Sequence, residues 1–283
     1  MLSYRTDLAL ESLSDLQDKK GIAENHRGKY FHVTEIVISD DESGKSLGKG
    51  KGTYITLETE ILSRFSDNYE QMAGELAQEL RNLLPETGSI LVAGLGNKNI
   101  TPDALGVRAT EKILATRHLQ KELAQEDEEF LKNLRSVSVV AGGVLGQTGI
   151  ESAELLKAVV KLIQPEAMIV IDALACSALE RLGTTIQISD TGIAPGSGVA
   201  NHRLAINAEN FGIPIIAIGV PTVIGIRNIA EDYTGEVLAE KLPDMMVTPR
   251  DIDRLIIQAS HLLACGINMA LHPQMQYTDV AGF

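Results

Sequence analysis

The stretch GLGNKNITPDALG, residues 94–106, directly follows the apolar run ILVA, residues 90–93, which we predict to be a strand. Glycines that follow a strand bring the backbone close to a ligand or to the next helix. The dinucleotide-binding pattern G-x-G-x-x-G is matched only weakly, because Asn99 occupies the third glycine position. The segment therefore indicates a strand–loop–helix unit whose loop is not a standard nucleotide loop.

Short apolar segments alternate with helical patterns along the rest of the chain, without the polar alternation of a half-exposed sheet. This pattern predicts an α/β fold, with a twisted, mostly parallel sheet and helices on both faces. Predicted strands are 30–39, 53–59, 89–93, 136–141, 168–171, 185–189 and 214–219; predicted helices are 67–84, 102–121, 150–163, 173–182 and 249–271, the last with a break expected near Gly266.

The polar and turn-rich N-terminus predicts two parts of unequal size. Residues 1–29 are expected to form a loosely held arm, and residues 30–283 a single α/β domain. Residues 39–52, SDDESGKSLGKGKG, are hydrophilic and rich in glycine, so we expect a connection between two strands there.

Composition excludes several classes of function. A formal net charge of −13 and an aromatic content of 4% disfavour nucleic-acid binding, and a basic protein is an easier partner. The cysteines Cys176 and Cys265 form neither a disulfide framework nor a zinc motif. No apolar run approaches the roughly 20 residues of a membrane span, and the charged N-terminus does not resemble a signal peptide. We therefore expect a cytoplasmic protein that contacts no membrane.

Two aspartates follow predicted strands. Thr101-Pro102-Asp103 has the residues of a helix start, and Asp172 stands between an apolar strand and a predicted helix. Each could simply cap its helix and complement the helix dipole. In an open parallel sheet, however, groups at the carboxyl ends of strands face the ligand crevice. If the two strands are neighbours, both carboxylates enter one cleft.

Two carboxylates in one cleft suit general acid–base attack of water on an amide, since one of them retains a proton. Asp190, at the end of the strand TTIQIS, is a third acid that could assist. The loop that follows contains Gly196 and Gly198, whose backbone N–H groups could stabilise an oxyanion, although a long surface turn explains the glycines equally well.

The other polar candidates have simpler explanations. His118 and His202 lie closest in sequence to these loops, but surface roles are more common for such histidines. Cys176 is more typical of a small core residue than of a nucleophile. Arg108 and Arg203 could bind a carboxylate, although solvated surface charge is the simpler assignment.

Several long segments resemble the germination proteases of spore-forming bacteria. The resemblance covers nearly the whole chain, and its loop motifs are far more specific than a pair of glycines. The segments are RTDLALE (5–11), GLGNKNITPDALG (94–106), TGIES (148–152), VIDALA (170–175), TTIQISDTGIAPGSGV (184–199), IPIIAIGVPTV (213–223) and MVTPRDID (246–253).

The resemblance implies an endopeptidase that degrades the small acid-soluble proteins of spore DNA early in germination, in the forespore or spore core. It implies a fold like that of the hydrogenase-maturation peptidases, a homotetramer, and Asp103 and Asp172 as the catalytic pair. Those peptidases hold nickel with an acid and a histidine, and only His202 could correspond here. We therefore expect no metal and no cofactor, while a metal-dependent mechanism stays open.

The resemblance also implies a zymogen that removes its own N-terminal segment. Thr6-Asp7-Leu8-Ala9-Leu10-Glu11 resembles the family's substrate site, Thr-Glu-(Phe/Ile)-Ala-Ser-Glu, and predicts self-cleavage between Asp7 and Leu8 with residues 1–7 as the propeptide. An ordinary disordered terminus is the alternative. One departure is the short region between Val223 and Met245, where better-known members carry an insertion. An inactive relative that only binds peptides is therefore the second hypothesis.

Overall fold

The computed structural model describes residues 6–14, 21–60, 62–64, 66–119, 133–194, 204–234 and 242–283. Within these ranges the chain forms a nine-stranded sheet with helices on both faces. The strands are β1 (Ile22–Arg27), β2 (His32–Ile38), β3 (Gly52–Glu58), β4 (Ile90–Gly94), β5 (Val137–Ala141), β6 (Ala167–Cys176), β7 (Thr185–Ser189), β8 (Ile215–Gly225) and β9 (Met246–Val247). The helices are α1 (Ala9–Ser14), α2 (Asp41–Leu47), α3 (Tyr69–Leu83), α4 (Leu105–Thr110), α5 (Leu145–Thr148), α6 (Ser152–Ile163), α7 (Ala208–Phe211), α8 (Ile226–Thr234), α9 (Ile252–Leu271) and α10 (Tyr277–Val280).

The strands are ordered β1-β2-β3-β7-β8-β6-β4-β5, and β9 pairs with β8. Strands β5, β4, β6 and β8 run parallel to their neighbours in this group. All the other pairs in the sheet are antiparallel. The predicted α/β class is confirmed, and the sheet is mixed: its parallel part contains β4 and β6, the strands that lead to the two aspartates.

Alternate residues of the central strands face opposite sides of the sheet. Ile90 and Val92 of β4 belong to the same buried cluster as Leu76 of α3. Leu91, between them, belongs to a second cluster with Leu156 of α6. Both faces of the strand are therefore buried, which explains the continuous apolar run in the sequence.

Strand β6 is longer than its apolar segment predicts. The helix expected at 173–182 does not form; β6 continues to Cys176, and a single 3-10 turn follows at Leu179–Arg181. The cause is pairing with β8, which extends in parallel as far as Cys176 and Ile224. Alanine and leucine favour helices, but this tertiary pairing overrides their local preference.

The helix predicted at 102–121 is also shortened, to α4. After α4 the backbone groups bond to other elements instead of to a continuing helix. The amide of Leu114 donates to Oδ1 of the buried Asn268 at 2.9 Å, and the amide of Thr116 donates to the carbonyl of Val137 at 3.0 Å. These long-range partners replace the i→i−4 bonds that would extend α4.

Three further expectations differ from the structure. Residues 22–27 of the expected arm form β1, which pairs with β2. The connection 39–52 contains α2, whose N-terminus is capped by the side chain of Asp40. Helix α9 continues through Gly266 without a break. The glycine allows α3 to pack closely, since a Cβ there would lie 2.5 Å from Cδ2 of Leu76.

Helix α9 is long and apolar enough to cross a membrane by length and composition, with a mean hydropathy of 1.3. However, 72% of this apolar stretch is buried inside the fold, and its buried apolar residues belong to the main core cluster. Packing against α3 and α4 accounts for its apolar character.

The fold also buries a histidine, His272, which is 0% exposed. Burial and the nearby positive charge of Arg135 lower its pKa to about 4, from an ordinary value of 6.5. The unfolded chain therefore binds a proton that the folded chain resists, so stability is complete above pH 6.5 and declines as the pH falls towards 4.

We expect this histidine to contribute roughly 2 kcal/mol to the loss of stability between pH 7.5 and 5.0. Urea unfolding at both pH values measures the difference, and His272→Gln should lose less stability on acidification than the unchanged chain by that amount. Equal pH dependence for His272→Gln would contradict the assignment.

Candidate functional site

Asp103 and Asp172 line one cavity of about 430 Å³. It lies where β4 ends beside β6, and the two strands are neighbours in the parallel part of the sheet. The structure thus brings together the two acids that the sequence placed after separate strands. Pro102, Thr222 and Thr248 line the same cavity.

A tight glycine turn holds Asp103. Gly96 has a φ of +103°, and a Cβ there would lie 1.9 Å from the carbonyl oxygen of Asp103, so only glycine fits. The amide of Asn97 donates to Oδ2 of Asp103 at 2.8 Å. Asp103 ends a 3-10 turn, Thr101–Asp103, that precedes α4, and does not lie in the first turn of a long helix as expected. The hydroxyl of Thr222 on β8 fixes this turn by donating to the carbonyl of Pro102 at 2.8 Å.

Asp172 lies inside β6 and does not cap a helix as the sequence suggested. Strand β4 ends at Gly94, opposite Ile171, so Asp172 is the first β6 residue beyond the end of its neighbour. On the other side it pairs with Gly219 of β8. The aspartate is 6% exposed, and its Oδ1 accepts from the amide of Ala173 at 2.9 Å. The end of β4, not of β6, opens the cavity beside it.

The expected supporting residues divide into two groups. Asp190 does not line the cavity; its Oδ1 accepts from the amide of Thr53 at 2.7 Å and so joins the ends of β7 and β3. Gly196, Gly198 and His202 lie outside the described residues. Asp190 therefore has a structural partner that its position after a strand did not reveal.

The structure places three of the four remaining candidates, His118, Cys176 and Arg108. His118 is exposed on the surface. Cys176 is buried in a cluster with Leu8 and Ile224, on β6 and not on the expected helix. Burial raises the pKa of its thiol, which keeps it protonated and unreactive. Arg203 lies outside the described residues, and Arg108 is on α4.

The N-terminal segment extends β6 on the side that β4 leaves open. The amide of Asp7 donates to the carbonyl of Ala175 at 3.0 Å, and the amide of Ala175 donates to Oδ2 of Asp7 at 2.8 Å. Asp7 also lines the cavity that contains Asp103 and Asp172. The segment is therefore attached to the end of β6 by one backbone bond and one side-chain bond at Asp7, and it continues directly into α1.

The residues after Asp7 are anchored just as closely. Leu8 and Ala9 are both 0% exposed, and Leu8 packs with Leu174 and Ile224. The amide of Ala9 donates to Oε1 of Gln187 at 3.3 Å. Residues 6–11 are therefore part of the packed fold, in contrast to the loosely held arm that their sequence predicts.

Glu11 completes the attachment of this segment. Its carboxylate is 7% exposed and accepts from the amide of Ser177 at 2.8 Å, the hydroxyl of Ser177 at 2.7 Å and the amide of Ala178 at 2.9 Å. Thr6 donates a further hydrogen bond to the same carboxylate. A buried carboxylate with several donors is strongly held, so Glu11 fixes the direction of the segment.

Lys49 also contacts this segment, and nothing in the sequence singles it out. Its Nζ donates to the carbonyl of Thr6 at 3.2 Å and to the carbonyl of Asp7 at 3.0 Å. The residue follows α2 in the glycine-rich connection, where a lysine is typical of solvent-exposed chain. No pattern in the local sequence distinguishes it from its neighbours Lys45 and Lys51.

The sequence of this chain matches the model of a known protein family. The profile of the family described as germination protease matches residues 6–240, which include Asp7, Asp103 and Asp172. The chain belongs to the germination protease family. A germination protease of Caldanaerobacter subterraneus subsp. tengcongensis is 42% identical over 312 residues, covering 96% of this chain and 95% of the relative.

Other germination proteases are similar over their full lengths. The one from Clostridium tetani is 37% identical and covers 100% of this chain and 99% of its own; the one from Bacillus velezensis is 34% identical, with 99% and 96%. Alignments of 325 and 356 residues exceed the 283 of this chain, so these germination proteases carry inserted residues. The chain is thus a short member of a family of proteases of spore germination.

A search of solved structures finds a NiFe hydrogenase maturation protease, HycI from Thermococcus kodakarensis. Its sequence identity to this chain is 18% and its TM-score 0.37, over 67% of this chain and 98% of that one. Among the residues that the structure describes, no group of three or more His, Cys, Asp or Glu side chains is arranged to hold a metal ion.

Proposed function

We propose that this chain is an endopeptidase made as a self-processing zymogen, in which Asp103 and Asp172 activate the attacking water. The observation that Asp7 lines the same cavity as these two aspartates supports the proposal most directly. The docked segment is also the one whose sequence resembles the family's substrate site. Sequence and position therefore point to one bond, between Asp7 and Leu8.

The chemistry needs one carboxylate and one carboxylic acid. The ionised aspartate takes a proton from water as the oxygen adds to the carbonyl carbon of Asp7, and the protonated aspartate gives its proton to the departing amide nitrogen. The C–N bond then breaks, leaving a carboxylic acid at the main-chain carbon of Asp7 and an amine on Leu8, and the proton of the new acid passes to the amine to give a carboxylate and an ammonium. Two acids that share a cavity suit this division of roles, since one carries the proton while the other is ionised.

Small acid-soluble spore proteins are the proposed substrates, in the forespore or spore core, and the proposed assembly is a homotetramer. The net charge of −13 suits a substrate that itself binds the DNA phosphate backbone. No cofactor enters the proposed steps. The two aspartates, Asp103 and Asp172, and one water supply every group that hydrolysis of the bond between Asp7 and Leu8 requires.

Self-cleavage gives the most direct test. Full-length protein is incubated in mildly acidic buffer of low water activity, and the product is examined by intact mass and N-terminal sequencing. We expect loss of residues 1–7 and a new N-terminus at Leu8. The internal Thr34-Glu35-Ile36 is a built-in control: it has a similar sequence but lies in β2, paired on both sides, and should stay uncut.

A chain that stays intact in every condition, and does not cut purified small acid-soluble spore proteins when its first seven residues are absent, would support the peptide-binding module instead.

A repeat of the incubation after thorough chelation separates the aspartate mechanism from a metal-dependent one. Unchanged cleavage supports the aspartate pair, whereas loss that zinc or another divalent ion restores would require a metal.

A further inference from the structure

The backbone around Lys49 is fixed by a short-range network. Helix α2 ends at Gly48, which has a φ of +64°, and the amide of Lys49 donates to the carbonyl of Gly44 at 3.0 Å. A Cβ on Gly44 would lie 2.6 Å from the carbonyl of Lys49, so the chain passes closely over the helix. The hydroxyl of Tyr54 holds the next residue by donating to the carbonyl of Gly50 at 2.9 Å. The lysine is thus presented from a defined position.

The side chain of Lys49 is turned inward where its neighbours are not. Lys45 and Lys51 are exposed, while Lys49 is half-buried beside the docked segment. Burial lowers the pKa of its ammonium, and the carboxylates of Asp7 and Glu11 oppose that effect. Lysine loses rotamer freedom and hydration on burial, so an inward orientation needs compensating contacts. The two carbonyl oxygens of Thr6 and Asp7 supply them.

One of these two oxygens belongs to the bond between Asp7 and Leu8. When water adds to that carbonyl carbon, the oxygen gains negative charge. Donors already placed about 3 Å from such an oxygen stabilise the transition state more than the ground state. The 3.0 Å contact from Nζ of Lys49 has this placement. Asp7 adjoins both the cavity of the aspartate pair and a neighbouring cavity lined by Lys49.

We propose that Lys49 is a catalytic residue, whose ammonium group holds the negative charge that forms on the carbonyl oxygen of the cleaved bond. This rests on the proposed function, since it assumes that the bond after Asp7 is cut. Lys49 transfers no proton: it stays an ammonium while the aspartates move the protons, and the charge on the oxygen collapses back as the C–N bond breaks. The same donor would serve any substrate that lies as residues 6–11 do.

A role limited to holding the N-terminal segment is the competing explanation, and it predicts a different result. If Lys49 only anchors the segment, its loss frees residues 6–11. If Lys49 acts on the transition state, the segment stays docked through Glu11 and Leu8 while the cleavage step slows. Measuring docking and cleavage separately therefore distinguishes the two.

The test uses the full chain with Lys49→Met, Lys49→Arg and the matched control Lys51→Met. The rate of conversion to the form that begins at Leu8 is followed by intact mass. Docking is followed by hydrogen exchange of the amides of residues 7–11, in an Asp103→Asn background that keeps the chain whole. We expect Lys49→Met to slow cleavage by about 100-fold or more with exchange protection retained. Lys49→Arg should recover part of the rate, and Lys51→Met should match the unchanged chain.

Each other outcome is decisive. Lys49→Met that keeps its protection and cleaves less than about 100-fold more slowly than the unchanged chain overturns the proposal, because one oxyanion donor contributes about 10²–10³-fold. Slow cleavage with lost protection at residues 7–11 also overturns it and assigns Lys49 to docking alone. An unchanged chain that never cleaves contradicts the proposed function itself, and the role of Lys49 with it. If the unchanged chain cleaves and either of the first two results is found for Lys49→Met, the inference fails and the proposed function stands.

Discussion

Replacing Asp172 with asparagine is expected to slow self-cleavage roughly 10³-fold or more, because the pair loses a group that must gain or give a proton. Asparagine keeps the size of the side chain, and its Oδ1 can still accept from the amide of Ala173. The fold should therefore be preserved. Intact mass spectrometry under the processing conditions measures the rate, and the melting temperature confirms folding.

Asp103→Asn is expected to have an equally large effect for the same reason, since its oxygen can still accept from the amide of Asn97. If the two acids act as one unit, the double variant will be little worse than either single variant. Independent roles would instead multiply the two losses. Comparison of the three rates therefore tests whether the cavity works as a pair.

Asp190→Asn is the matched control. Asp190 also follows a strand of the same sheet, but its carboxylate bonds to the amide of Thr53 and does not line the cavity. Asparagine can accept the same bond, so cleavage should stay close to the unchanged rate. Normal cleavage by Asp172→Asn, or loss of cleavage by Asp190→Asn equal to that of Asp172→Asn, would contradict the assignment of the catalytic pair.

The shared cavity of the two aspartates could be predicted because it depends only on two apolar strands that run parallel side by side. Asp103 and Asp172 each follow an apolar run, and neighbouring parallel strands bring such positions together. The prediction was right about the shared cavity and wrong about the local structure of Asp172. Alanine-rich sequence after it favours a helix, whereas pairing with β8 and with Asp7 keeps it extended.

The docked N-terminus and Lys49 were harder to foresee because their partners are distant in the chain. Leu8 is buried by residues more than 160 positions away, such as Leu174 and Ile224. A polar segment with few apolar residues looks disordered until those partners are known. Lys49 stands in a glycine-rich connection that is ordinary in composition. Its inward direction follows from the end of α2 at Gly48, which composition does not reveal.

The glycines of the opening stretch support the site in a way that one substitution can test. Gly106 lies in α4 where the helix crosses the ends of β4 and β6. A Cβ there would lie 2.2 Å from the carbonyl oxygen of Ile171 and 2.6 Å from that of Leu95. Both atoms are backbone, and the amide of Leu95 donates to the carbonyl of Ile171 at 2.9 Å. The side chain would have to push apart the two strands that carry the acids.

Gly106→Ala should therefore destabilise the fold by roughly 3 kcal/mol or more, since backbone contacts this short cannot be relieved by a rotamer change. For a chain of this size, we expect the melting temperature to fall by roughly 6–12 °C. Calorimetry or urea unfolding in the Asp103→Asn background, which prevents cleavage, gives the measurement. Any protein that stays folded should also cleave slowly when Asp103 is restored, because α4 follows Asp103 directly.

Gly146→Ala gives the matched comparison. Gly146 is also a helical glycine, in α5, but a Cβ there would meet no atom within 4 Å. Alanine is the better helix former, so the substitution should leave stability unchanged or raise it by up to about 1 kcal/mol. Equal effects of the two substitutions would mean that helix propensity alone decides the cost. A large loss of stability at Gly106 only would show that the close contact of α4 with the backbone of Leu95 and Ile171 sets the cost.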